Sequence, residues 1–215
     1  MKLRNYSFAF CTMILLGTAA FLGGCATTGM DRSVKTSNSI RDVDSDIRKM
    51  FVQIDVTAAS LDALVAPGQQ DVKKALKTYT HDLDTLEHEG KRALKHIDEM
   101  REHSTEYFGE WEKQGGEYKN PEIRELSEER RIKLAAIYAR VPAAGAGIKV
   151  AYNAYLTNLK EIKTYLSNDL TPQGLITIDP IAKRAIQDKE TLKSSVQPLL
   201  AAMEEIKAEL YSGKK

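Results

Sequence analysis

Apolar residues mark out long helical stripes along most of this 215-residue chain. The first runs through Ile40, Val43, Ile47, Met50, Ile54, Leu61 and Leu64, in steps of three and four, with Thr57 filling the one gap. One side of an α-helix buries such a stripe against a partner. It stops at Ala66-Pro67-Gly68. A second stripe, slipped by one in phase, runs Val72, Leu76, Tyr79, Leu83, Leu86, Gly90, Ala93, Ile97, Met100, Ser104, Tyr107 and Trp111. Gln114-Gly115-Gly116 ends it. Asn120-Pro121-Glu122 then reads as a helix start, with Asn as N-cap and Pro at the first helical position. The third stripe is Ile123, Leu134, Ile137, Val141, Ala144, Ile148, Ala151, Tyr155, Ile162 and Leu166. Pro142 should kink this helix, and the small residues from Ala143 to Gly147 should let another helix approach closely. Asn168 to Ile178 reads as a connection, and Asp179-Pro180 as the cap of a last helix. That helix carries Ala182, Ala185, Leu192, Val196, Leu199, Met203, Ile206 and Leu210, with a further kink at Pro198. No strand pattern and no repeat of the solenoid kind is present.

Pro67 decides the topology. If it only kinked the chain, the first helix would be about 117 Å long at 1.5 Å per residue, and nothing else could cover it. A turn there gives helices of about 31, 45, 48 and 33 residues. The middle two match as a long hairpin and the outer two match each other. The expected fold is all-α: an antiparallel four-helix bundle, with a kinked three-helix coiled coil as the alternative. On these lengths the hairpin should project about 20 Å beyond the first helix, from ~14 unmatched residues.

The first 24 residues do not belong to this pattern. Lys2 and Arg4 precede an uncharged run from Tyr6 to Leu22, followed by Leu22-Gly23-Gly24-Cys25. This reads as a secretion signal, and its last four residues resemble the bacterial lipobox. The resemblance implies lipidation (palmitate) of the Cys25 thiol and cleavage before it. An uncleaved signal anchor is the alternative, although 17 apolar residues sit at the short limit of the ~17–25 needed to span a bilayer. Ala26 follows the cysteine where an inner-membrane retention signal would place Asp, which favours the outer membrane, facing the periplasm. The expected division is a signal peptide over 1–24, a flexible tether over 25–34 and one helical domain over 35–215.

Without residues 1–24, 29 Lys and Arg stand against 30 Asp and Glu. No basic excess supports nucleic-acid binding. Of the two cysteines, Cys11 leaves with the signal and Cys25 takes lipid, so stability must come from packing.

The segments Tyr107-Phe108 with Trp111-Glu112, Asn120 to Ser127 followed by Arg130-Arg131, and Asp169-Leu170-Thr171 resemble those of a bacterial family of helical envelope lipoproteins of unknown function. The resemblance covers most of the mature chain and implies no catalytic residue.

The residues themselves point away from an active site. All four histidines, His81, His88, His96 and His103, lie on the second helix. Their spacing puts them on one side, opposite the apolar stripe, and more than about 10 Å apart along the axis, too far to share a metal. No phosphate loop, HExxH or GxSxG occurs. No cofactor and no metal site is expected. Tyr79, Tyr138, Tyr152, Tyr155 and Tyr165 should cap the core edges with their hydroxyls in water. The expectation is a non-enzymatic, outer-membrane-anchored scaffold or interaction module with a protein partner in the envelope; self-association stays open. A lipid or apolar-ligand binding module is the alternative, and a hydrolase with an unrecognised site a third reading. The aromatic residues Tyr107, Phe108, Trp111 and Tyr118 gather near the hairpin tip, on the side of the anchor. They are candidates for contact with membrane or partner, since Trp and Tyr favour the interface. In the competing reading Tyr107 and Trp111 continue the internal seam and pack on Ile123 and Leu126.

Overall fold

The computed structural model describes residues 29–211; Cys25, the signal segment and the start of the expected tether lie outside them. The described residues form four helices and no strand: α1 (Gly29–Val65), α2 (Val72–Gly115), α3 (Pro121–Asn168) and α4 (Pro172–Tyr211). Each packs on its chain neighbour, and α1 packs on α4, while α1 meets no α3 and α2 no α4 across the diagonal. The result is a closed four-helix bundle. Pro67 is a turn rather than a kink: Gly68 holds φ at 81°, a region open to glycine because it has no Cβ, and Gln69 donates to the Ala66 carbonyl at 3.2 Å.

The stripes form the core. Ile47, Met50, Ile54, Leu61, Leu83, Ile97, Val141, Ile148, Val196 and Met203 are all buried in one cluster. Thr57, the polar residue within the first stripe, is also buried; its hydroxyl donates to the Gln53 carbonyl and reaches the Asp82 carbonyl of α2 at 3.1 Å. The approach expected at 143–147 centres on Gly145, where a Cβ would come within 2.6 Å of Ile97.

Five expectations need correction. α4 starts at Pro172, eight residues before Pro180. The Thr171 hydroxyl accepts from the Gly174 N–H at 3.1 Å, and its carbonyl from Leu175 at 3.0 Å, while the Asp169 carboxylate takes the Thr171 N–H and hydroxyl. Thr171-Pro172 is therefore the cap and first residue, and the helix runs through Pro180 and Pro198. α1 starts at Gly29, so residues 29–34 are helix rather than tether. They run beside the end of α2, where Lys35 pairs with Glu106 at 3.5 Å. The middle hairpin consequently outruns α1 by far less than expected: α2 has 44 residues and α1 37, a difference of about 10 Å.

The tyrosines differ as well. Tyr79 and Tyr152 are fully buried. Tyr79 on α2 donates to the Leu159 carbonyl of α3, and Tyr152 on α3 donates to the Leu86 carbonyl of α2, both at 2.8 Å. Burial pushes both phenols well above their ordinary range, with the Tyr155 phenol adding to it at Tyr79 and the Glu87 carboxylate at Tyr152. Finally, the histidines do not all face solvent. His81 and His88 are exposed, but His96 and His103 are half-buried against α1.

Candidate functional site

Two regions concentrate chemistry beyond simple packing. The first lies between α1 and α2. Asp46 sits beside Ile47 on the inner side of α1 and is only 3% exposed. Arg92 of α2 grips it with two bonds of 3.0 Å, Nε to Oδ2 and Nη2 to Oδ1, and a third bond ties Arg92 to Glu89 at 2.7 Å. Lys49 donates to Asp46 at 3.2 Å. His96 Nδ1 stands 2.7 Å from Asp46 Oδ2, but not along the line of a hydrogen bond. Burial alone would raise the Asp46 carboxyl. The Arg92 and Lys49 hydrogen bonds, with the charges of Arg92 and His96, overcome that and hold it below the usual carboxylate range. The cluster balances its own charge and joins two helices. Among the described residues, no three His, Cys, Asp or Glu side chains are arranged to hold a metal ion.

The second region is the end where α1 begins, α2 ends and α3 begins. Asn120 caps α3 by accepting from the Glu122 and Ile123 N–H groups at 2.9 and 3.4 Å. Arg124 folds back on the Tyr118 carbonyl, and Arg131 pairs with Glu112 of α2 at 3.3 Å. These contacts fix the turn that joins the two helices. Beneath it Phe108 stacks on Trp111 with centroids 6.3 Å apart and meets the edge of Tyr138 at 5.3 Å. Tyr107 lies against both Phe108 and Trp111.

Of the four aromatic candidates, Phe108 is therefore core, and Tyr107 and Trp111 are half-buried. Trp111 Nε1 donates to Ser127 Oγ at 2.8 Å. Tyr118 alone is well exposed, at 40%. Ile123 and Leu126, on which the competing reading seats Trp111, stand at 49% and 63% exposure. Glu209, two residues before the last described residue of α4, pairs with Arg130 and Lys133, so about the first two turns of α3 lie beyond the described part of α4. Ile123 lies on the inward side of that overhang. Sequence periodicity alone suggests a buried Ile123, because it continues the stripe; the described part of α4 ends before it reaches that level.

No family model, no curated protein and no solved structure matches this chain.

The outer face of α3 is a further surface. Ile132, Ala136, Ala139, Ala143, Ala146, Val150 and Ala154 all point outward in steps of three and four, and all are exposed. This second heptad, about 33 Å long, carries no charge along its centre. Arg140 and Lys133 flank it and are engaged by Glu205 and Glu209 of α4. The open grooves between helices are mixed in character. One, about 720 Å³, lies between α3 and α4 and mixes Ile162, Tyr165 and Ile178 with Glu161, Arg184 and Asp188. A more apolar groove of about 500 Å³ lies at the opposite end of the bundle, lined by Val65, Pro67, Val72, Pro172, Leu175 and Ile176.

Proposed function

We propose that this chain is a lipoprotein anchored through Cys25 in the outer membrane, and that its bundle serves the periplasm as a non-enzymatic helical scaffold. The observation that carries the scaffold reading is the outer face of α3. A helix already buried on one side displays a second, uncharged heptad to solvent. Such a face suits another helix, because small residues bring two backbones close and the apolar ends add burial. The anchor reading draws on Leu22-Gly23-Gly24-Cys25 and the run before it. The alternative, binding of a lipid or other apolar ligand, draws on the groove beside Pro67 and Pro172.

Each half has its own test. Cys25→Ser should abolish incorporation of labelled fatty acid and leave the precursor at full length; acylation of that variant removes the anchor reading. A photo-crosslinker at Ala143 should trap one protein of defined size in intact cells, and Val150→Glu should abolish the product while leaving the fold unchanged. A crosslinker at His88, on the solvent side of α2, should give no such product. Equal products from both positions would remove the scaffold reading.

A further inference from the structure

The anchor and the fold together constrain which end of the bundle meets the membrane. Gly29 begins α1 and lies four residues after Cys25. An extended chain covers at most ~3.6 Å per residue, so an acylated Cys25 holds the start of α1 within about 14 Å of its own position. α1 begins beside the end of α2, as the Lys35–Glu106 pair shows. The α2–α3 turn and the overhang of α3 are therefore at the tethered end.

That end also exposes apolar side chains that the bundle does not cover. Met30 on α1 is 71% exposed, and Tyr118, Ile123 and Leu126 join it from the turn and the overhang. These are not scattered surface residues. Ile123 continues the inner stripe of α3 past the last described turn of α4, and the Asn120 cap, the Arg124 bond to Tyr118 and the Trp111–Ser127 bond fix the turn and the start of α3. The nearby charges are of both signs, with Lys113, Lys119, Arg124, Arg130 and Arg131 among Glu110, Glu112, Glu117, Glu122, Glu125, Glu128 and Glu129.

We infer that Met30, Tyr118, Ile123 and Leu126 form a face that seats the bundle on the bilayer at its headgroup–acyl boundary. This rests on the anchored reading above. It makes the anchor and the fold act together, since lipid chains attached to a loose tether would leave the domain free to lie at any angle. The bilayer, rather than another protein, is the occupant because the tether is too short to keep this end away from it. An apolar side chain of a membrane-tethered domain gains by insertion at the interface, and Tyr is suited to that depth.

The test uses the lipidated protein in vesicles of phosphatidylethanolamine and phosphatidylglycerol. Acylation occupies the Cys25 thiol, so Leu126→Cys supplies the one free thiol for an environment-sensitive fluorophore. Ile176→Cys, at the far end of the bundle, is the control. Nitroxide-labelled lipid should quench the fluorophore at 126 at least two-fold and leave that at 176 unchanged. Protein that floats with the vesicles but shows equal quenching at both positions overturns the seating and leaves the anchor intact. Shielding of position 126 from aqueous iodide without quenching by the labelled lipid also overturns it, since another polypeptide then covers the face. Protein that carries no acyl group and does not float overturns the anchor, and the seating with it.

Discussion

Gly90→Ala should be among the most destabilising single-methyl changes in this protein. Gly90 lies on the inner side of α2, and a Cβ there would stand 2.1 Å from Cζ of Tyr152 and 2.2 Å from its hydroxyl oxygen. The ring cannot simply move aside, because its hydroxyl is bound to the Leu86 carbonyl in a buried site. Overpacking costs about 1–3 kcal/mol, and a buried hydroxyl left without its partner about 1–3 kcal/mol. The better helix propensity of Ala returns about 1 kcal/mol, leaving a net loss of about 1–5 kcal/mol. Gly147→Ala is the control. On the outer face of α3, nothing lies within 4 Å of the point where its new methyl would stand, so the same change should stabilise by up to about 1 kcal/mol. Urea denaturation of the two variants should thus shift in opposite directions. Removing the ring in the Gly90→Ala, Tyr152→Ala pair should relieve the clash, so the two changes together should cost less than the sum of each alone.

The second large effect belongs to Asp46 and Arg92. Arg92→Ala leaves a carboxylate that is 5% exposed held only by Lys49 and His96. Breaking a buried pair from one side costs about 3–5 kcal/mol. Arg92 is itself a third exposed, which lets water enter and lowers the expected loss to about 2–3 kcal/mol. Replacing both, as in Asp46→Leu with Arg92→Met, should restore stability close to the parent, since no charge is then left unpaired. Acid should separate the two proteins. The folded carboxyl of Asp46 titrates below its unfolded value of about 3.9, so the folded state binds fewer protons in that range. Its contribution is complete above about pH 4 and is lost as pH falls through the lowered folded value. Denaturation curves at pH 7 and pH 3 should show the parent losing more stability than the double variant. Equal losses would mean that Asp46 adds nothing as a charge.

The limits of the sequence reading follow from what kind of interaction each feature depends on. Ile47, Leu83, Ile148 and Met203 are legible because a periodic apolar residue has one place to go. Asp46 is not, because a charge beside a stripe ordinarily marks the solvent side; only the register of α1 on α2 brings Arg92 and His96 to it. Periodicity puts Tyr79 and Tyr152 on the right helices, but their hydroxyls find carbonyls of the opposing helix, a pairing that local sequence does not contain. Gly90 is visible as a gap in a stripe, yet the ring that fills the gap comes from α3. The helix starts at Gly29 and Pro172 escape the sequence for opposite reasons. The first lies eleven residues ahead of the apolar stripe that opens at Ile40, and the second has a good capping signal, overshadowed by Asp179-Pro180. At the tip, the sequence leaves Tyr107 and Trp111 open between the internal seam and a contact surface, while the exposed side chains beside Tyr118 are the aliphatic Ile123 and Leu126.

The order of packing around the bundle also governs how the chain can reach it. Three of the four helix–helix seams join consecutive helices, so each can zip outward from its own short turn with little entropy lost to loop closure. Only the α1–α4 seam, with Asp55 held by Lys189 and Lys193, spans nearly the whole chain and must wait for the others. Helical proteins built on neighbouring contacts fold fast. A chain that emerges from its N-terminal end would then have two hairpins formed before its last helix arrived, and the latch between first and last helix would be the step that commits it.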